Sequence, residues 1–444
     1  MNAPTPTSAL ARIGAAQRAP LYLDHNATTA PCAQAVAEML DVLQRVWANP
    51  SSVHADGQAA RSVLADARLR VARLLGCSAA ELVFTSGATE ANHMAVLGAL
   101  AAHADAAGSA AAGPLRRQWV LSAVEHPGLM ALAAQLRRRG TPTELIPVDA
   151  QGRLDLQAAQ ALVGPQTALL SVMAANNETG VLMPLAELAA LAAARGAWLH
   201  VDATQWAGKL PLDFVASGAH LMSVSAHKLG GPKGVGALLV RRGLALPPLL
   251  AGRQERQRRG GTENLPGIVG FAAACDATLP TLASEARRQQ ALRDRLEQGL
   301  QAALPQLQLQ VLGQAAPRLP NTSCLRFGHL SAELVLSRLE RAGILASSGA
   351  ACSAGGTQPS HVLLAMGLTP DQAKGSVRFS LGSSTQACDI ERVIRDTTAA
   401  LAPLLATARA AAGTASRYKA AARPAHAAAA AQARSAAQPI ESPT

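Results

Sequence analysis

Between about residue 21 and residue 265, short apolar runs alternate with helix-like stretches, and this alternation constrains the fold more than any other feature of the chain. The runs at 81–84, 119–124, 143–148, 167–174, 197–201 and 219–224 read as strands. Segments such as 91–97, 129–139 and 185–195 have helical character. The run 167–174 is almost continuously apolar, as expected of a strand covered on both faces. The pattern predicts an α/β fold with a mostly parallel sheet between two helical layers. In such sheets functional groups gather outside the carboxyl ends of the strands.

Three of those strand ends carry chemistry. The strand at 219–224 closes on Ser225-Ala226-His227-Lys228, followed by a glycine-rich turn. A crowded, desolvated lysine can lose its proton and attack an aldehyde. The strand at 197–201 closes on Asp202, with Gln205 just beyond. The strand at 81–84 closes on Thr85-Ser86-Gly87-Ala88-Thr89-Glu90, which opens a helix. Free N–H groups at such a helix start bind phosphate. Each has a plainer reading: a solvated lysine, a helix-capping aspartate, a helix capped by Ser86. Together they suit pyridoxal phosphate, whose aldehyde a lysine holds as a Schiff base and whose ring nitrogen a carboxylate keeps protonated.

The three segments together resemble the fold-type I pyridoxal-phosphate enzymes, and look most like the cysteine desulfurases of the class V aminotransferase family. Further matches follow in that family's order: Tyr22-Leu23-Asp24-His25-Asn26-Ala27-Thr28-Thr29, Glu125-His126, Asn176-Asn177-Glu178-Thr179-Gly180, Arg258-Arg259-Gly260-Gly261-Thr262-Glu263-Asn264, Ser347-Ser348-Gly349-Ala350-Ala351-Cys352 and Ser376-Val377-Arg378-Phe379-Ser380. The likeness runs from about residue 20 to 405 and is nearest to the IscS/NifS-like group. His25 and Ala350 stand where relatives often carry other residues.

The resemblance implies a large domain with a seven-stranded-type sheet and a smaller α+β domain. It implies a reaction that takes sulfur from L-cysteine, leaving L-alanine and a persulfide on Cys352. Lys228, His126 and Cys352 would be catalytic. Lys228, Asp202, Gln205, Ala88, Thr89, Asn177, Ser225, His227 and Thr262 would hold the cofactor, Thr262 across a homodimer interface. Arg378 and Asn177 would hold the substrate carboxylate. Sulfur would pass to an iron–sulfur scaffold or another acceptor. No resident metal is expected; a transient contact of Cys352 with an iron–sulfur cluster is left open. Selenocysteine lyase, another class V enzyme and a cofactor-free scaffold are the competing readings.

Cys352 sits in a run made only of small residues, which has little to pack and can move. The cysteines at 32, 77, 275, 324 and 388 form no CxxC pair, which gives zinc and dithiol chemistry no support. The net charge of +11 invites a nucleic-acid reading, but aromatics make up only 2% and the arginines are scattered, apart from the run 253–259. No nucleic-acid or membrane partner is therefore expected. No signal peptide and no apolar run of membrane-spanning length is visible, so a reducing cytoplasm is the expected compartment. The expected organisation is a mobile arm over 1–19, a cofactor-binding domain over 20–265, a small domain over 266–407 and a disordered Ala-rich tail over 408–444.

Overall fold

This computed structural model describes residues 20–107, 116–348 and 358–405. The arm over 1–19, the cysteine loop from Gly349 through Cys352 to 357 and the Ala-rich tail lie outside the described residues. Strand β1 is Leu21–Tyr22. Seven strands then build the main sheet: β2 Leu82–Thr85, β3 Gln118–Ser122, β4 Thr143–Ile146, β5 Thr167–Met173, β6 Trp198–Asp202, β7 Leu221–Ser225 and β8 Gly236–Val240. Their order is β2-β8-β7-β6-β5-β3-β4. β4, β3, β5, β6 and β7 run parallel, whereas β8 is antiparallel to both β7 and β2. Every residue of β2, β5, β7 and β8 is buried, which is why β2, β5 and β7 read as apolar runs rather than as alternating ones.

The second layer system follows. β9 Gln310–Val311, β10 Thr322–Arg326, β12 Ser347–Ser348 and β13 Ser376–Ser380 form an antiparallel sheet in the order β12-β13-β10-β9, and β11 Ile344–Leu345 pairs in parallel with β1. The helix Leu282–Ala303 supplies Leu292, Leu296 and Leu300 to the core of this unit. The helix Ala332–Arg341 adds Val335 and Leu339, and Ser331 caps its start by accepting the Leu334 N–H.

The expected boundary at 265 needs correction. Leu265–Thr278 is a helix that is apolar all round, and Ile268, Val269, Phe271 and Cys275 are buried in the core of the first unit. A helix without a polar face must be enclosed, so the first unit extends to about Thr278. Two other segments cross the expected division. Leu23 packs in the second core, and Val362, Leu363 and Met366 pack in the first. The helical run Leu265–Ala303, 39 residues, is also long and apolar enough by composition to cross a bilayer, contrary to expectation. Its most apolar window is 61% buried within the protein, so core packing accounts for that composition.

Candidate active site

The carboxyl ends of β2, β6 and β7 meet at one cavity of about 330 Å³. β7 delivers Ser225, and a single 3₁₀ turn, Ala226–Lys228, swings the lysine across the mouth of the sheet. Lys228 Nζ donates to the main-chain carbonyls of Asn26 at 2.6 Å and Ala27 at 2.7 Å. β6 delivers Asp202, which is buried. Its Oδ2 accepts from Asn92 Nδ2 at 2.7 Å and its Oδ1 from the Thr204 N–H at 3.0 Å. Asn92 stands one turn into the helix Ala88–Ala107, so this helix both follows the Ser86-Gly87 turn and orients the carboxylate.

The opposite wall is that helix start. The Ala91 N–H bonds to the Gly87 carbonyl, so the amides of Ala88 and Thr89 precede the first intrahelical bond, and both residues line the cavity, an arrangement suited to an anion. Ser86 N–H is already taken by Glu90 Oε2 at 2.7 Å, and Arg259 Nε holds Glu90 Oε1 at 2.7 Å. Burial raises the Glu90 carboxyl, but the donors on Arg259 and Ser86 outweigh it and keep it below its ordinary range. A Cβ built on Gly87 would lie 3.8 Å from Ser225 Oγ, within the space that turn leaves beside Ser225. A Cβ on Gly236 would lie 2.6 Å from the Val224 carbonyl oxygen and 2.7 Å from Gly87 Cα, so a glycine in β8 lets the turn lie this close to the sheet.

His126 caps the helix Pro127–Arg138 by accepting the Gly128 N–H on Nδ1 at 3.1 Å. The neutral ring therefore carries its proton on Nε2. Burial, with Lys228 and His361 adding, keeps this imidazole below its ordinary pKa against the pull of Asp202. His227, held by Thr28 Oγ1 at 3.1 Å, is lowered to about 4 by burial and then by Lys228 and Lys233. Behind His126, the fully enclosed Glu125 is pushed up to about 8 by burial, despite donors from Ser122 and the Met173 N–H. It is a neutral acid at neutral pH.

The third side belongs to the second unit. Arg378, in β13, is buried and bonds the Asn177 carbonyl through Nη1 at 3.0 Å and Asp24 through Nη2 at 2.7 Å. Its Nε has no partner among the described residues. Asn26 joins the three parts of the site. Its side chain donates to the Asn177 carbonyl and to Thr322 Oγ1, and its N–H donates to Ser380 Oγ.

Lys228, His126, Asp202, Gln205, Ala88, Thr89, Asn177, Ser225, His227 and Arg378, all singled out in the sequence, line this one cavity. Thr262 is exposed and stands outside its wall. Cys352 lies outside the described residues. Burial raises the thiols of Cys77 and Cys324 to about 12 and holds that of Cys275 well above its ordinary range, which makes them poor nucleophiles. In the arginine run at 253–259, Arg256 bonds the Ala79 and Leu82 carbonyls and Arg259 bonds Glu90, while Arg253 is exposed. Sequence reasoning missed Asn92, Asn26, Asp24 and Glu125 as site-building groups. The last three stand in quoted motifs, but nothing local reveals their partners.

The site fits pyridoxal phosphate on its own geometry. The helix start at Ala88 and the bare Gly87 would hold the phosphate, the buried Asp202 carboxylate the ring nitrogen and the Lys228 amine the aldehyde, and all of them line the one cavity. Thr204 Oγ1, on the same wall, is buried without a partner among the described residues.

Comparison with known proteins agrees. Residues 21–393 match the family model described as aminotransferase class-V. A cysteine desulfurase of Cereibacter sphaeroides is 45% identical over 377 residues, covering 84% of this chain and 94% of that protein. A cysteine desulfurase of Bradyrhizobium diazoefficiens is 45% identical over 379 residues, covering 85% and 93%. A solved NifS-like protein superposes with a TM-score of 0.77 at 31% identity, covering 86% of this chain and 99% of that one. DndA from Streptomyces lividans gives 0.65 at 33% identity, covering 83% and 99%. With a fold, a strand-end lysine and a matched length that all agree, the chain belongs to the class V aminotransferase family, among its cysteine desulfurases.

Proposed function

We propose that this chain uses pyridoxal phosphate to move sulfur from L-cysteine to its own Cys352, releasing L-alanine. The observation that carries the reading is the convergence of Lys228, Asp202 and the Ala88–Thr89 helix start on one cavity that Arg378 also lines. Lys228 would hold the cofactor aldehyde, Asp202 the ring nitrogen, Gln205 the ring hydroxyl and His126 the ring face. Ala88, Thr89, Ser225 and His227 would hold the phosphate, with Thr262 reaching that of a second copy of the chain. Asn177 would touch the ring or the substrate carboxylate. When bound, the cofactor supplies an electron sink that makes the substrate Cα proton acidic.

The remaining chemistry belongs to the chain. The Arg378 guanidinium binds the substrate carboxylate and so fixes the amino acid's orientation. The Lys228 amine, released when substrate binds, takes the Cα proton. Neutral His126, with its proton on Nε2, faces the same space. The Cys352 thiolate attacks the substrate sulfur; the S–S bond forms as the C–S bond breaks, and the carbon skeleton leaves as alanine. Sulfur then passes to an iron–sulfur scaffold or another acceptor in the cytoplasm. An apolar stripe on the helix Ala33–Arg45, with Val36, Leu40 and Leu43 more than half exposed and Trp47 just beyond at 80%, supports a homodimer.

The test is a visible absorption spectrum of the purified protein with pyridoxal phosphate, followed by L-cysteine. A yellow chromophore is expected, with alanine formed in the absence of a 2-oxo acid and sulfide released once an added thiol reduces the persulfide. A chromophore that converts selenocysteine but not cysteine would replace the reading with selenocysteine lyase. No chromophore at all would sink both.

A further inference from the structure

A second lysine stands beside this site, and the mechanism above does not use it. Lys209 follows Gln205 by four residues in the turn after β6 and is 8% exposed. Its Nζ donates to Gln205 Oε1 at 2.5 Å and to Asn26 Oδ1 at 2.8 Å. It stands behind the wall of the first cavity and lines a second one of about 350 Å³, with Lys228 common to both. The two lysines grip the same residue: Lys228 bonds the Asn26 main-chain carbonyl, and Lys209 its side-chain carbonyl.

We propose that Lys209 is a positioning residue of the cofactor site: its amine fixes the Gln205 amide and the Asn26 side chain, and through them the place of the Lys228 amine. The inference rests on the cofactor reading above, because Gln205 is the group it presents.

Gln205 shows what the amine does. A carboxamide has two near-isosteric orientations, and its partners decide between them. Here Oε1 accepts from the Lys209 amine, while Nε2 donates to the Asn26 carbonyl at 3.0 Å. Flipping the amide would set its oxygen against the Asn26 carbonyl oxygen and take Oε1 away from the Lys209 donor, so the carbonyl and Lys209 together lock one orientation. In that orientation Nε2 keeps its second hydrogen for the cavity, where a ring hydroxyl needs a donor. Asn26 is fixed in the same way, since Asn321 Nδ2 joins Lys209 on its Oδ1 at 3.1 Å.

A methionine would fill the same volume without the cost of burying an amine. The lysine is therefore not explained by packing. Among the described residues no carboxylate lies within ion-pair distance of it; its neighbours in charge are Lys228 and Arg378, with His25 held neutral by burial. Burial first, and then those two cations, hold the Lys209 amine well below the ordinary lysine range. Any charge it carries also disfavours a proton on Lys228.

The test compares wild type, Lys209→Met and Lys209→Gln, each loaded with pyridoxal phosphate, by pH titration of the visible chromophore, cofactor release on dilution and thermal unfolding. Lys209→Met should fold with a similar melting point, shift the chromophore's titration midpoint upward by about one unit and release cofactor ~10-fold more readily. Lys209→Gln, which keeps one donor, should fall between. A folded Lys209→Met with wild-type midpoint and cofactor retention would overturn the inference. If Lys209→Met does not fold, wild-type values in Lys209→Gln would overturn it equally. Absence of any chromophore in the wild-type protein would instead remove the cofactor reading itself.

Discussion

Arg378 and Asp24 meet across 2.7 Å, the guanidinium side chain 2% exposed and the carboxylate side chain 20% exposed. The arginine assigned to the substrate carboxylate is thus already held by an internal one, on a segment that arrives from the other end of the chain. Asp24 takes Nη2 and Asn177 takes Nη1, so the guanidinium plane is fixed before substrate arrives. Preorganisation of this kind reduces what binding must spend on ordering the side chain.

Arg378→Lys should therefore raise KM for L-cysteine while leaving the cofactor spectrum intact. A lysine is a point charge and cannot hold Asn177, Asp24 and a substrate carboxylate in one plane. The loss of a charge-assisted pair, about 1.5–3 kcal/mol, corresponds to ~10- to 100-fold in KM. Steady-state kinetics beside an absorbance spectrum checks this, and an unchanged KM would remove Arg378 from the substrate site.

Asp202→Asn should keep the chromophore but lower kcat by ~100-fold or more, the scale of a lost proton-holding group. An amide cannot keep a ring nitrogen protonated. Asn92→Leu should do less, about 10-fold, because Asp202 still has the Thr204 N–H. Equal losses in the two variants would mean that Asn92 does more than orient the carboxylate.

Gly236→Ala should weaken both cofactor retention and stability. Its Cβ would come within 2.6 Å of the Val224 carbonyl oxygen and 2.7 Å of Gly87 Cα, so the phosphate turn must shift. A cost of about 1–3 kcal/mol is the ordinary range for such overpacking. Gly164→Ala, whose Cβ would meet nothing within 4 Å, is the control and should change neither the melting point nor cofactor release.

Glu125 gives a pH signature. Its folded value, about 8, lies above the ordinary 4.5, so the folded state holds the extra proton between those limits. Its contribution to stability is complete below about 4.5 and is lost as pH rises toward about 8. Glu125→Gln keeps the shape and cannot ionise. Its melting point relative to wild type should therefore rise steadily between pH 5 and about 8 and level off above. A constant difference across that range would mean that Glu125 is already ionised in the fold. Glu178, raised to about 7 by burial and bonded to Ser360 at 2.6 Å, should leave the variant's own stability falling as pH rises from about 4.5 to about 7.

Cys352→Ala should retain the yellow chromophore and its response to L-cysteine, because Lys228 and Asp202 are untouched. It should lose persulfide formation and sulfide release, because no thiolate is left to attack the substrate sulfur. Cysteine turnover at wild-type rate in this variant would point to a lyase that needs no enzyme persulfide.

Much of this arrangement was legible in the sequence. The strand ends at Asp202 and Lys228 and the turn after Phe84 were readable because buried parallel strands are apolar throughout and stop sharply at polar residues. The helix at 185–195 was found with its limits, since Gly196 in the left-handed region closes it. β8 was not read: it begins in a glycine-rich turn and is only five residues long. The stretch 308–312 begins with the polar–apolar alternation of a half-buried strand, yet only Gln310–Val311 is one, because Pro305–Leu307 forms a 3₁₀ turn and Gln308 adopts a positive φ of 47°. Asn26 and Lys209 were silent because a side chain whose partners lie some 180 positions away leaves no periodic trace. The domain boundary was misplaced because an enclosed helix and a linker-flanked one look alike until their neighbours are known.

The pairing of β1 with β11, and of Asp24 with Arg378, sets an order of events during synthesis. The first described strand emerges from the ribosome early, yet the partners of this segment at 344–345 and Ser380 are made far later. Asn26, which carries the Lys228 amine, is anchored to Ser380 and Thr322. The main sheet can close while the chain is still growing, because its strands end at Val240. The lysine's resting place cannot, and must wait for nearly the whole polypeptide. A truncated chain that stops before β13 should accordingly fold a sheet without a finished site, so premature termination yields a protein unable to begin its chemistry rather than one that performs it unguarded.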